Sequence, residues 1–238
     1  MNVKYFNSYE SMSYFAASKL IRRIREIKQP VLGLATGSTP LGLYQELVSQ
    51  HNKGVVSFEN VITFNLDEYV GLGDSHAKSY KTYMRQHLID KVDFNPKSFH
   101  IPNGQAIDLE KECNRYESLL LEKGPIDVQV LGLGHNGHIG FNEPGTPFKT
   151  KTHVVELDIT TREANSRYFS SVSEVPKRSI TMGIKSILRS DEILLLVSGE
   201  GKASALDKLL SHEISKEFPA SALHRHDAVT VLVDQSSL

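Results

Sequence analysis

Val31-Leu32-Gly33-Leu34-Ala35-Thr36-Gly37-Ser38-Thr39-Pro40 changes character twice. An uncharged apolar run reads as a buried strand, and small hydroxylated residues with glycine read as a turn. Leu43, Leu47 and Val48 then recur at helical spacing. The result is a βα unit, and its order recurs along the chain. Val61-Ile62-Thr63-Phe64 runs into Asn65-Leu66-Asp67-Glu68-Tyr69, and residues 127–133 feed a glycine-rich loop. Residues 193–197 are turned by Ser198-Gly199-Glu200-Gly201-Lys202 into a helical pattern over 203–210, and 228–233 is the last apolar run. Helical patterns separate them. The first is capped by Asn7 with Glu10 and carries Met12, Phe15, Ala16, Leu20, Ile21 and Ile24. Others cover 79–90 and 106–121, and one starts at Thr160. The stripe Tyr80, Tyr83, Met84, His87 and Leu88 reads as core. Residues 94–105 read as a connection, 149–158 as extended chain and 179–182 as a short strand. Short apolar strands alternating with helices predict a doubly wound, mainly parallel α/β sheet with helices on both faces, Rossmann-like in layout. Residues 1–238 are expected to form one domain.

Bulk composition narrows the function. Of 238 residues, 39% are hydrophobic and 23% charged, an ordinary globular balance. With 27 Lys and Arg against 28 Asp and Glu the formal net charge is −1, so no global field favours nucleic acid or a membrane surface. The single cysteine, Cys113, excludes an internal disulfide and a cysteine-based metal site, and a bland, partly buried thiol is expected. The first ten residues lack the apolar core of a signal peptide, and no apolar run approaches a membrane span, so a cytoplasmic location is expected.

Three segments carry candidate chemistry. The Thr36, Gly37, Ser38, Thr39 turn offers hydroxyls and backbone N–H groups at a helix N-terminus, which suits a phosphate. It lacks the spacing and lysine of a Walker loop and is not a dinucleotide fingerprint. Asp67 and Glu68 follow a strand, where open α/β sheets place their ligands. In extended chain they point to opposite sides, which suits one catalytic and one structural carboxylate. Residues 130–145, Val-Leu-Gly-Leu-Gly-His-Asn-Gly-His-Ile-Gly-Phe-Asn-Glu-Pro-Gly, combine five glycines with His135, Asn136, His138, Asn142 and Glu143. His138 is the natural proton carrier, because imidazole both accepts and donates near neutrality, and Glu143 could return to orient it. Arg167 and Lys202 could clamp a phosphate. Plainer readings stand beside each: an ordinary N-cap, a solvated acidic turn, a loop histidine bonded to backbone, solvated arginines. His135 and His138 form too sparse a pair for a metal site, so neither metal nor redox cofactor is called for.

These segments, with Ala164-Asn165-Ser166-Arg167 and Gly201-Lys202-Ala203, resemble the glucosamine-6-phosphate deaminase family in register along nearly the whole chain. The resemblance implies that Asp67 is the base moving a proton between C2 and C1. It implies that His138 opens the sugar ring with Glu143 and Asn136 as partners. Arg167, Lys202 and the turn from Thr36 to Thr39 would hold the phosphate. Many members have Asp at the place of Asn136, so a neutral amide replaces a carboxylate and Glu143 is left to orient the histidine. Allosteric hexameric members are longer and carry basic groups after the Glu-Pro pair, where this chain has Thr146, His153 and Val155. A monomer or small oligomer acting on a small sugar phosphate is therefore expected, without nucleic acid or membrane. A 6-phosphogluconolactonase is the alternative on the same fold. A non-catalytic sugar-phosphate sensor is a third reading, disfavoured because it would need only the phosphate clamp.

Overall fold

The computed structural model describes residues 1–238, apart from the side chain of Ser237. The elements run β1 (Asn2–Phe6), α1 (Tyr9–Glu26), β2 (Val31–Leu34), α2 (Leu41–Asn52), β3 (Ile62–Asn65), β4 (Asp67–Tyr69), α3 (Tyr80–His87), β5 (Phe99–His100) and α4 (Leu109–Lys123). They continue with β6 (Val128–Gly132), β7 (His153–Glu156), α5 (Ile159–Asn165), β8 (Arg178–Thr181), α6 (Ile184–Ile187), β9 (Glu192–Val197), α7 (Ala203–Leu210) and β10 (Val229–Asp234).

A seven-stranded sheet of order β1-β10-β9-β6-β2-β3-β5 forms the centre, parallel at each pairing. From β2 the chain winds outward through β3 to β5, returns to β6 on the other side of β2, and winds through β9 to β10. The switch point thus lies between β2 and β6, where such sheets bind ligands beyond the carboxyl ends of their strands. Leu194 and Leu195 are consecutive and both fully buried. Since neighbouring strand residues face opposite ways, both faces of the sheet are covered, which is why these strands read as unbroken apolar runs. Burying each such leucine is worth roughly 1.5–3 kcal/mol.

Several sequence expectations are corrected. Residues 2–6, given no strand ahead of the first helix, form β1, an edge strand on β10 in which every residue is exposed or half-buried. The α1 cap is Ser8 with Ser11 in a reciprocal box, in place of Asn7 with Glu10; Met12, Ala16, Leu20 and Ile24 still make its buried stripe. Asp67 follows the β3 strand as expected, but not as plain loop. It opens β4, which with β8 and β7 makes a separate antiparallel sheet of order β4-β8-β7. Leu66 links the two sheets: its N–H donates to the Leu34 carbonyl and its carbonyl accepts from the Met182 N–H. The helix sought from Thr160 is α5, capped by Asp158, and it ends at Asn165, so Arg167 lies on a following 3-10 turn. The helix read over 79–90 is α3, capped by Ser79 and ending at His87. Cys113 is buried, and burial pushes its thiol up to about 11. Among the described residues no helix is long and apolar enough to cross a membrane.

Two buried carboxylates fasten the small sheet. Glu68 accepts from the N–H groups of Tyr69 (2.8 Å), Tyr80 (3.0 Å) and Lys81 (2.9 Å), so it holds the N-terminus of α3 against β4. Glu117 on α4 accepts from the Thr152 N–H and hydroxyl at 3.2 and 3.0 Å and from the Ser186 hydroxyl at 2.8 Å.

Candidate active site

The carboxyl ends of β9, β6, β2 and β3 lie side by side in the sheet and open into one cavity of about 440 Å³. Thr36, Gly37, Ser38 and Thr39 line it from β2, Asp67 from the continuation of β3, His138 from the loop after β6, and Lys202 from the turn after β9. Arg167 reaches it from the 3-10 turn after α5. Residues scattered over the sequence therefore meet because their strands are neighbours.

Asp67 is buried, and no donor reaches its carboxyl among the described residues. Burial, with the charge of Glu68 beside it, pushes its pKa up from 3.8 to about 8. Glu68 is also raised by burial, held back by the three N–H groups it accepts from. The loop after β6 lies against Asp67 at Gly140: its φ is +56°, and a Cβ there would stand 3.0 Å from Thr181 Oγ1 and 3.5 Å from Asp67 Oδ2. Glycine lets the backbone approach the acid this closely. The loop is pinned there by the Phe141 N–H on Thr181 Oγ1 (3.1 Å) and by the Asn142 amide on the Ile139 and Met182 carbonyls.

The His138 ring packs on Gly134, where a Cβ would come within 2.5 Å of it. Its Nδ1 is 3.7 Å from Glu143 Oε2, a contact longer than a hydrogen bond, and Nδ1 is buried with no hydrogen-bond partner among the described residues. Glu143 is itself satisfied on both oxygens, by the Thr161 hydroxyl at 2.6 Å and the Asn136 amide at 2.9 Å. Its burial would raise its pKa, yet His138, Thr161 and Asn136 together hold it below the usual range. Asn136 and Glu143 sit behind His138 and do not line the cavity. The Asn136 side chain bonds Glu143 and accepts from the His138 backbone N–H at 3.1 Å; it makes no bond to the imidazole. A neutral amide at 136 suits this place, since a carboxylate would face the Glu143 carboxylate.

The cations converge at the small-residue turn. Arg167 Nη2 donates to Ser38 Oγ at 3.3 Å, and Lys202 Nζ donates to the Leu133 carbonyl at 2.8 Å. Burial and the Arg167 charge lower Lys202 from 10.5 to about 8. Two like charges thus share a partly desolvated corner, an arrangement that an anion would relieve. Helix donors contribute less than expected, because the Leu41 and Gly42 N–H groups are taken by Ser38 O and Tyr9 Oη.

Sequence reading missed part of the lining. Met84 and Leu88 are core as expected, but Tyr80, Tyr83 and His87 from the same stripe line the cavity, as do Thr161 and Asn165. A one-sided stripe cannot distinguish a wall facing the core from a wall facing a cleft. Thr161 had no signal beyond its place before Asn165-Ser166-Arg167.

Residues 7–232 match the family described as glucosamine-6-phosphate isomerases/6-phosphogluconolactonase. A glucosamine-6-phosphate deaminase of Oceanobacillus iheyensis is 52% identical over 238 residues, covering 100% of this chain and 95% of its own length. Glucosamine-6-phosphate deaminase 1 of Bacillus subtilis is 52% identical over 237 residues, covering 100% and 98%. A solved monomeric glucosamine-6-phosphate deaminase superposes with a TM-score of 0.98 at 52% identity over 99% of this chain and 98% of that one. A 6-phosphogluconolactonase of Thermotoga maritima, at a TM-score of 0.76 and 18% identity over 98% of both chains, shares the fold. With the cavity built at the switch point of that fold, and near-complete matches at half identity, the chain belongs to the glucosamine-6-phosphate isomerase/6-phosphogluconolactonase family.

Proposed function

We propose that the protein is a glucosamine-6-phosphate deaminase, converting glucosamine 6-phosphate and water to fructose 6-phosphate and ammonia in cytoplasmic amino-sugar catabolism. The reaction consumes water, which places the enzyme with the hydrolases. The observation that carries this reading is Asp67: a buried carboxyl poised at about 8, in the same cavity as His138 and an anion-binding corner. A general base works best with its pKa near the operating pH.

In this reading the Thr36 to Thr39 turn, Arg167 and Lys202 hold the phosphate and so fix the sugar's register. His138 donates a proton to the ring oxygen and takes up the O1 proton, giving the open-chain aldehyde. Glu143 orients and charge-stabilises the imidazole, with Asn136 and Thr161 holding Glu143. Asp67 removes the acidified C2 proton and returns it to C1 of the enolamine. The resulting 2-imine is hydrolysed by water, and ammonia leaves. The whole chain acts as one catalytic unit, as a monomer.

Incubation of the purified chain with glucosamine 6-phosphate should release ammonia and fructose 6-phosphate in equal amounts. Absence of ammonia, or hydrolysis of 6-phosphogluconolactone in its place, would reject the reading.

A further inference from the structure

An anion-binding turn needs its N–H groups facing the ligand and its carbonyl groups turned away. In a trans peptide the C=O and the following N–H point in opposite directions, so pinning one carbonyl aims the next N–H. Carbonyls of the turn after β2 are pinned by tyrosine hydroxyls. Tyr44 on α2 donates to Ala35 O, and Tyr83 on α3 donates to Gly37 O at 2.6 Å. Tyr9 on α1 shares its proton between Ser38 O at 3.1 Å and Thr39 O at 2.9 Å. Tyr9 Oη also accepts the Gly42 N–H at 2.7 Å, which ties the start of α2 to the same hydroxyl.

The peptides so pinned carry the N–H groups of Thr36, Ser38 and Thr39, residues that line the cavity. The Ser38 and Thr39 N–H groups meet no acceptor among the described residues. Gly37 holds φ +103° with open space where a Cβ would stand, so the turn is sharp, and within it the Leu41 N–H holds the Ser38 carbonyl at 3.3 Å. Three phenols from three helices hold its carbonyls from outside the turn, Tyr83 from the cavity wall.

We propose that Tyr9, Tyr44 and Tyr83 are positioning residues for the phosphate: they hold the carbonyls of Ala35, Gly37, Ser38 and Thr39 away from the cavity and aim the N–H groups of Thr36, Ser38 and Thr39 into it. This rests on the reading of the turn as the phosphate site. Burial raises the phenols of Tyr44 and Tyr83, which keeps both protonated and able to donate. Without the hydroxyls the peptides are free to rotate, and a carbonyl dipole turned toward a dianion opposes binding.

The test is Tyr→Phe at each position, which removes only the hydroxyl, with inorganic phosphate binding followed by calorimetry alongside glucosamine 6-phosphate kinetics. Each variant should bind phosphate about two- to tenfold more weakly, the range set by one hydrogen bond of roughly 0.5–1.5 kcal/mol. The loss should fall on KM more than on kcat, and affinity for glucosamine lacking phosphate should not change. Tyr14→Phe, exposed on the same helix as Tyr9, serves as the control and should match the parent. Should Tyr44→Phe fail to fold, Tyr9→Phe and Tyr83→Phe, at less buried positions, decide the matter. Phosphate affinity that survives all the folded Tyr→Phe variants, yet falls with Arg167→Ala, overturns the tyrosine assignment alone. A parent chain that binds no phosphate overturns it together with the site reading.

Discussion

Asp67 was legible as a residue following an apolar strand; its pKa was not, because that comes from burial and from Glu68. Folded Asp67 holds its proton up to about 8, against 3.8 in an accessible chain. Between those values the native state binds more protons than the unfolded one, so stability falls as pH rises through the window and the cost is complete above it. We expect Asp67→Asn to raise the melting temperature at pH 8 and to change it little at pH 4, while lowering turnover on the order of 10²–10⁴-fold. Near-normal deamination, or an unchanged melting temperature at pH 8, would remove Asp67 from this role. Lys202 sets the other limb. It must be charged to hold a phosphate, and it loses that charge above about 8. The pH profile of kcat/KM should therefore be a bell centred near 8, and Lys202→Arg should move only its alkaline limb upward. An alkaline limb that stays in place would assign it to another group. Arg167→Ala and Lys202→Ala should each raise KM about tenfold to a hundredfold, from charge-assisted contacts of about 1.5–3 kcal/mol.

At the scale of elements, strands with consecutive buried residues were readable and those on edges were not. Ile193 to Val197 announced β9 because helices cover both faces, whereas every residue of β1 is at least partly exposed and the strand carries no such signature. Helices were visible by period, but their ends are decided by side chains meeting backbone, as with Ser8 on Ser11 and Asp158 on Thr160. What α5 does depends on both ends: Thr161 bonds Glu143 near one, and Arg167 reaches Ser38 beyond the other. Glu117 has the corresponding role for β7, since it joins α4 to Thr152 and to Ser186 on α6. Replacing it by leucine leaves buried donors unpaired, and we expect a loss of about 1.5–3 kcal/mol in denaturant titration with the cavity residues chemically unaltered. A loss below about 0.5 kcal/mol would mean that water satisfies those groups.

For the whole molecule, the switch point between β2 and β6 gathers the ends of neighbouring strands, and regulation depends on whether a second anion site exists. Positions 146, 153 and 155 supply no permanent cation: the Thr146 hydroxyl is bonded to Glu143 O, and burial lowers the His153 imidazole. Lys149 and Lys151 nearby are exposed, where an ion pair gains little over water. We expect hyperbolic kinetics in glucosamine 6-phosphate, no response to N-acetylglucosamine 6-phosphate, and a single 26.6 kDa chain by light scattering. A sigmoidal curve straightened by the acetylated sugar would show a second site, and a larger particle would refute the monomer. The sequence alone determined the alternation of strands and helices, the parallel sheet and the segments bearing Thr36, Asp67, His138, Arg167 and Lys202, because hydrophobic period and glycine-rich turns are properties of adjacent residues. The tertiary structure decided that Asp67 belongs to a second sheet, that its carboxyl is raised, that Asn136 answers to Glu143, and that tyrosines from three helices hold the carbonyls of one turn. Burial, charge proximity and hydrogen bonds between distant residues exist only once the strands have taken their order.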